Sequence, residues 1–293
     1  MSLLTSPTAA PAPLPPNQVA ILARLNDLPP FSPVLNKLLA SLSDDSFSYR
    51  QMGALIEQDT VLTGNVLRMV NSAAYGRRTE VLAISNAVAI LGINKLRNLV
   101  LTLSVANMWR SVKTANHWSL ERFNTHELAT AILCDTLAQR MKVEFPEGAF
   151  LAGLLHDLGK LLIVMASPAD HLDIEAYAAK TGCTMLEAER FVLDTDHAAL
   201  SAEALRIWKL PVALQDAVRS HHAPVVGELS MAVSVADECA NRLGLGTIAL
   251  TEPLEGTDAE VCLIVLERIG LEQEAETLMA EFRMEFDAAK ALC

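Results

Sequence analysis

The chain has 293 residues, 51% hydrophobic and only 5% aromatic, with 13 Gly and a formal net charge of −12. A composition led by Leu and Ala and poor in glycine favours helices over sheets, so the expected fold class is all-α, and the acidic balance repels a phosphate backbone and argues against nucleic acid as a main partner. Five cysteines without Cys-x-x-Cys spacing, no secretory start and no window approaching 18 uncharged apolar residues predict a cytoplasmic protein with reduced thiols and no membrane span.

Residues 1–17 are rich in Pro, Ala, Ser and Thr, lack apolar periodicity and read as a flexible leader. Helical spacing begins at Val19, Ile21, Leu22 and Leu25, breaks at Pro29, Pro30 and Pro33, and resumes through Val34, Leu35, Leu38, Leu39 and Leu42. Ser46 or Ser48 is placed to cap a helix bearing Met52, Leu55 and Ile56. Asp59 opens another through Leu62, Val66, Leu67 and Val70, which ends in the turn-prone stretch 71–76. Helices over 85–91 and 93–109 meet at Gly92 and complete an N-terminal lobe spanning 18–115. A second lobe, 116–246, is predicted to contain helices near 124–141, 147–164, 184–192, 198–208, 212–220 and 229–243, and the extension 247–293 reads as two amphipathic helices.

The chemistry-bearing residues gather in the second lobe. His156 and Asp157 interrupt the apolar run Gly153–Lys160, where desolvation makes both groups costly unless they are paired, hydrogen-bonded or bound to metal. In one continuous helix they would point about 100° apart and form no local pair. His126 lies on a helix with Ala129, Ile132 and Leu133 on its core face, and Asp237 breaks the apolar face of Val233, Val235 and Ala236. His126, His156, Asp157 and Asp237 form a mixed N/O donor set suited to Fe, Mn, Zn or a Mg-like ion. His197, His221 and His222 could hold a second ion or orient a phosphate, with Asp157 spanning the two positions and Lys160 meeting the phosphate charge. Plainer roles compete: His126 as a helix cap, Asp237 as the acceptor of an N–H or a partner of Arg242, His221 and His222 as a solvated helix end, Lys160 as a snorkelling cation, and His117 and His171 as surface residues.

As a set, several stretches resemble the HD superfamily of metal-dependent phosphohydrolases and, across residues 20–245, the HDOD (HD-related output domain) proteins of bacterial signalling. They are Leu28-Pro29 with Leu38-Leu39, Ile56 to Leu62, Val70 to Ala73, Ala87 to Gly92, Phe150 to Lys160, His221 to Pro224 and Ala236 to Glu238. The resemblance implies an all-helical HD core behind a helical N-terminal lobe. It implies metal ligation by His126, His156, Asp157 and Asp237, and it matches His197, His221 and His222 to the extra histidines of the HD-GYP phosphodiesterases that cleave cyclic di-GMP. The chain departs from those enzymes after His222, where Ala-Pro-Val-Val-Gly-Glu replaces their Glu and Gly-Tyr-Pro run, and at Arg122, where some carry a carboxylate ligand.

Three functions follow as expectations, the weakest being a purely helical interaction protein with a vestigial, metal-free pocket. The favoured one is a regulatory module acting through signalling proteins, its pocket holding one or two divalent ions or a nucleotide that stabilises one conformation. The alternative is a metal-dependent phosphohydrolase acting on a nucleotide or cyclic dinucleotide, with Asp157 and Lys160 as the catalytic residues.

Overall fold

A computed structural model describes residues 14–41, 48–71, 80–110, 112–223, 227–248 and 254–291; among these, helices and turns account for all the regular structure and no strand occurs. Most of the expected leader and the alternative cap Ser46 lie outside the described residues.

Local chemistry sets the helix starts. Helix α1 (Pro16–Leu22) begins with proline at its first position, and α2 (Pro33–Ser41) does likewise. Ser48 opens α3 (Tyr49–Ile56) through a reciprocal capping box with Gln51, and Asp59 accepts from the Val61 and Leu62 amides at the start of α4 (Thr60–Val70). Beyond α4 the Asn71 side chain donates to the Val81 carbonyl and accepts from its amide, at 2.9 and 2.7 Å. Helix α5 (Ile84–Trp109) bends at Gly92, whose φ of 76° marks the expected break.

The second half contains α6 (Leu120–Ala138), α7 (Ala149–Leu155), α8 (Leu158–Ala166), α9 (Pro168–Thr181), α10 (Met185–Leu193), α11 (His197–Ile207), α12 (Val212–Ser220) and α13 (Glu228–Ala240), followed by α14 (Asp258–Leu266) and α15 (Ala275–Lys290). Helix α9 was not expected, because Pro168 reads as a loop residue. It is instead the first residue of a helix capped by Ser167, where its missing N–H costs nothing. The single helix expected over 147–164 is two, separated at His156 and Asp157.

Helix α6 is the hub: α7, α13 and α15 pack along it, and α5 reaches both α6 and α7. Helices α2, α3 and α4 pack on α5, whereas α1 crosses to α8 and α11. One apolar core runs through the described residues from Ile21 to Ala289. By length and hydropathy two helical stretches could span a bilayer, Ile84–Trp109 and Pro146–Ala166, with 50% and 83% of the relevant windows buried inside the protein.

Candidate metal centre

Two glycines bring the site's helices together. A Cβ on Gly153 would lie 2.8 Å from the Ala131 Cα and the Thr130 carbonyl oxygen, so its absence lets α7 rest directly on the α6 backbone. A Cβ on Gly159 would lie 2.1 Å from the His197 carbonyl oxygen, and the Gly159 amide donates to Ser201 Oγ at 2.7 Å, locking α8 onto α11. Asp157, with φ −101° and ψ 11°, leaves helical geometry between α7 and α8. This overturns the expectation that His156 and Asp157 point apart: His156 Nε2 lies 3.5 Å from Asp157 Oδ2.

The seven expected ligands meet around one hollow. His126 Nε2, from α6, is 3.4 Å from Asp157 Oδ2 and 3.2 Å from Asp237 Oδ1, while His156 Nε2 is 3.6 Å from that same Asp237 oxygen. The other Asp157 oxygen, Oδ1, lies 3.3 Å from His197 Nε2, which is 3.0 Å from His222 Nε2. The rings of His221 and His222 have centroids 3.9 Å apart, and His221 also abuts His156 at 5.1 Å. The donor atoms form three overlapping sets: His126, His156 and Asp157; His156, His221 and Asp237; and His197, His221 and His222. Asp157 thus presents one oxygen to each end of the hollow.

The donor atoms fit a metal in orientation as well as type. Nδ1 of His126, His156 and His221 donates to the Leu245, Gly153 and Val218 carbonyls at 3.2, 2.8 and 2.6 Å, and His197 Nδ1 donates to Glu189 Oε2 at 2.7 Å. Each outward bond aims an Nε2 lone pair inward, the arrangement by which proteins fix the tautomer of a metal-binding histidine. His126 Nε2, His156 Nε2, His221 Nε2 and Asp157 Oδ1 are buried without a hydrogen-bond partner, so four costly polar atoms face one space. Divalent cations at the two ends of the hollow would satisfy all four.

The site's electrostatics favour a cation. Burial opposes charge on His126 and His156, yet Asp157 and Asp237 outweigh it and raise both imidazoles, His156 well above its ordinary value with Glu127 adding to the effect. Burial likewise opposes charge on the two aspartates, but His156 and Lys160 hold Asp157, and His126 and His156 hold Asp237, well below the usual carboxylate range. His221 is pushed well below its usual value by burial and by His222, His156 and His197. Ligation requires neutral imidazoles, so metal uptake is expected to release protons from His126 and His156, and affinity should fall as pH falls. Titration calorimetry in buffers of different ionisation enthalpy measures this directly, and heats independent of buffer would contradict it.

The competing roles resolve residue by residue. His126 does not cap its helix, since Ser119 does, and Asp237 contacts His126, His156 and Asn241 rather than Arg242, whose Nε donates to the Val261 carbonyl. His221 is fully buried and His222 exposed, so the buried-site and solvated-end roles divide between them. Lys160 Nζ is bonded to Asp157 Oδ2 at 2.5 Å. His171 is buried against the exposed His117 ring, not a surface residue. Arg122 turns from the hollow to donate to the Gly246 and Thr247 carbonyls.

Three supporting residues escaped the sequence reading. Buried Glu189 accepts from both His197 Nδ1 and the His197 amide, at 2.7 and 2.8 Å. Buried Glu127 lies 3.5 Å from His156 Nδ1, and Asn241 donates to Asp237 Oδ1 at 2.7 Å. Both acids occupy apolar helical stripes, Met185–Glu189–Leu193 and Phe123–Glu127–Ala131, the same signal that marks Asp237. Partners of this kind support metal affinity by about 10–100-fold, so Glu189→Gln should weaken uptake of the ion at the His197 end by that factor. A competition assay with a chelating dye measures the loss; wild-type affinity would show that Glu189 only caps α11.

Comparisons with known proteins match the all-helical fold. A model of the HDOD domain matches residues 28–224, a span that stops short of Asp237. An HDOD domain protein of unknown function from Geobacter sulfurreducens superposes with a TM-score of 0.75 at 20% identity, over 94% of this chain and 98% of that one. A provisionally named phosphohydrolase from Shewanella amazonensis SB2B superposes at 0.71 with 26% identity over the same shares, 94% and 98%. An uncharacterised protein of Treponema pallidum is 25% identical over 205 residues, 69% of this chain but 39% of its own length, so the chain spans well under half of that relative. With its all-helical architecture and two thirds of its length under the family model, the chain belongs to the HDOD family.

Proposed function

We propose that the protein is a bacterial cytoplasmic signalling module whose HD pocket binds two divalent ions and hydrolyses a phosphate ester. The observation that carries this reading is the convergence of His126, His156, Asp157, His197, His221, His222 and Asp237, with four of their buried polar atoms making no hydrogen bond. A purely scaffolding domain gains nothing from burying such atoms without hydrogen bonds, at a cost of about 1–3 kcal/mol each.

Bound ions would lower the proton affinity of a water molecule and polarise phosphoryl oxygens. The chain's own residues do the rest. Asp157 spans both ends of the hollow, Glu189 and the Gly153 and Val218 carbonyls hold the imidazoles in register, and Lys160 carries a charge at the pocket side of Asp157. The Lys160 ammonium, which burial would discharge but Asp157 and Asp237 keep charged, is placed to meet a phosphoryl oxygen. The signalling setting rests on membership of the HDOD family, whose model covers residues 28–224.

The test is hydrolysis of a generic phosphate ester by untagged protein after reconstitution with Mn, Fe, Zn or Mg. Turnover that needs the metal and disappears with a chelator is expected. A fully metallated protein that leaves monoesters, diesters and cyclic dinucleotides intact would limit the centre to a regulatory role.

A further inference from the structure

A cavity of about 250 Å³ adjoins the metal centre. Lys160 and Glu189 belong to both: Lys160 lines the cavity and bonds Asp157, and Glu189 lines it and bonds His197. Trp118, His117 and His171 line it as well, and Ile163, Ile174 and Met185 add apolar surface. The two histidine rings stand 5.4 Å apart, and the half-buried Trp118 ring is braced by Phe123 at 5.1 Å. Arg122 adds a second cation, anchored by its bonds to the Gly246 and Thr247 carbonyls. Glu175, 3.9 Å from His171 Nδ1, puts an acceptor beside the rings.

We infer that this cavity is the subsite for the ring system of a nucleoside monophosphate whose phosphate reaches Lys160 and the His–Asp hollow. The inference rests on the phosphohydrolase reading and gives it a substrate class. Three chemistries line one cavity: cations for the phosphate, one of them bonded to a metal-centre aspartate, apolar side chains, and aromatic faces with a carboxylate for a flat, amino-bearing ring. The volume favours one base over two. Pockets for drug-sized ligands run from about 300 to 1,000 Å³, so a 250 Å³ cavity with one group of rings suits a single nucleoside better than a cyclic dinucleotide. In the reaction, the water oxygen forms a bond to phosphorus and the bond from phosphorus to the ester oxygen breaks. One water proton ends on the departing nucleoside hydroxyl and the other on the released phosphate.

Calorimetric titration of Mn-loaded protein with adenosine 5′-monophosphate tests the assignment, with glycerol phosphate as a ligand lacking the ring. Trp118→Leu and His117→Ala should each weaken adenosine monophosphate binding by about 10-fold, with glycerol phosphate affinity and metal stoichiometry unchanged. His117 is exposed, so its variant reports on binding even if the tryptophan variant folds poorly. Unchanged adenosine monophosphate binding in a folded His117→Ala protein, or tighter binding of a cyclic dinucleotide, would overturn the subsite and leave the phosphohydrolase reading standing. Failure to take up metal would overturn both.

Discussion

Asp157→Asn should abolish metal-dependent phosphoester hydrolysis, lowering kcat by about 10³-fold or more, equivalent to ~4 kcal/mol of lost transition-state stabilisation. The substitution keeps the shape of the side chain and removes the charge that serves both ends of the hollow. Oδ2 faces His126 and His156, Oδ1 faces His197, and Lys160 loses its partner. No neighbour can replace it, because the only other aspartate among the assembled ligands, Asp237, contacts His126 and His156 but is not paired with His197. Metal content should fall with activity. Elemental analysis and a phosphatase assay on the folded variant check both, and wild-type turnover would remove Asp157 from the chemistry.

Gly159→Ala should destabilise the protein by ~3 kcal/mol or more, lowering Tm by roughly 10 °C. In an exposed helix the same change would stabilise by up to about 1 kcal/mol. Here the added methyl would sit 2.1 Å from the His197 carbonyl oxygen and 2.7 Å from its Cα, backbone atoms that cannot rotate away. Relief requires α8 and α11 to separate, which strains the bond from the Gly159 amide to Ser201 and carries His197 away from Asp157. Metal affinity at the His197 end should therefore fall as well. Thermal melting and metal titration measure the two effects, and a variant as stable as wild type would show that the helices are not held by this contact.

Much of this site was readable in the sequence because polar residues within apolar helical stripes are costly. That cost marked His126, His156 and Asp237 before any fold was known, and it would have marked Glu127 and Glu189 had acids in the stripes of α6 and α10 been weighed as partners rather than ligands. The Gly92 break and the Asp59 cap were equally legible, since each is decided within a few residues. The interruption at Asp157 was not. The run Phe150–Lys160 has strong helical periodicity, and what separates α7 from α8 is the seating of Gly153 on α6 and Gly159 on α11, contacts with residues more than 20 positions distant. The pairing of His117 with buried His171 escaped for the same reason: it depends on the unexpected helix α9.

Anomalous diffraction from crystals of untagged protein grown with excess Mn tests the central claim most directly. Two peaks are expected, one among His126, His156 and Asp237 and the other among His197, His221 and His222, with Asp157 reaching both. Imidazole nitrogens that close upon one another or upon water, with no anomalous peak at either position, would contradict it.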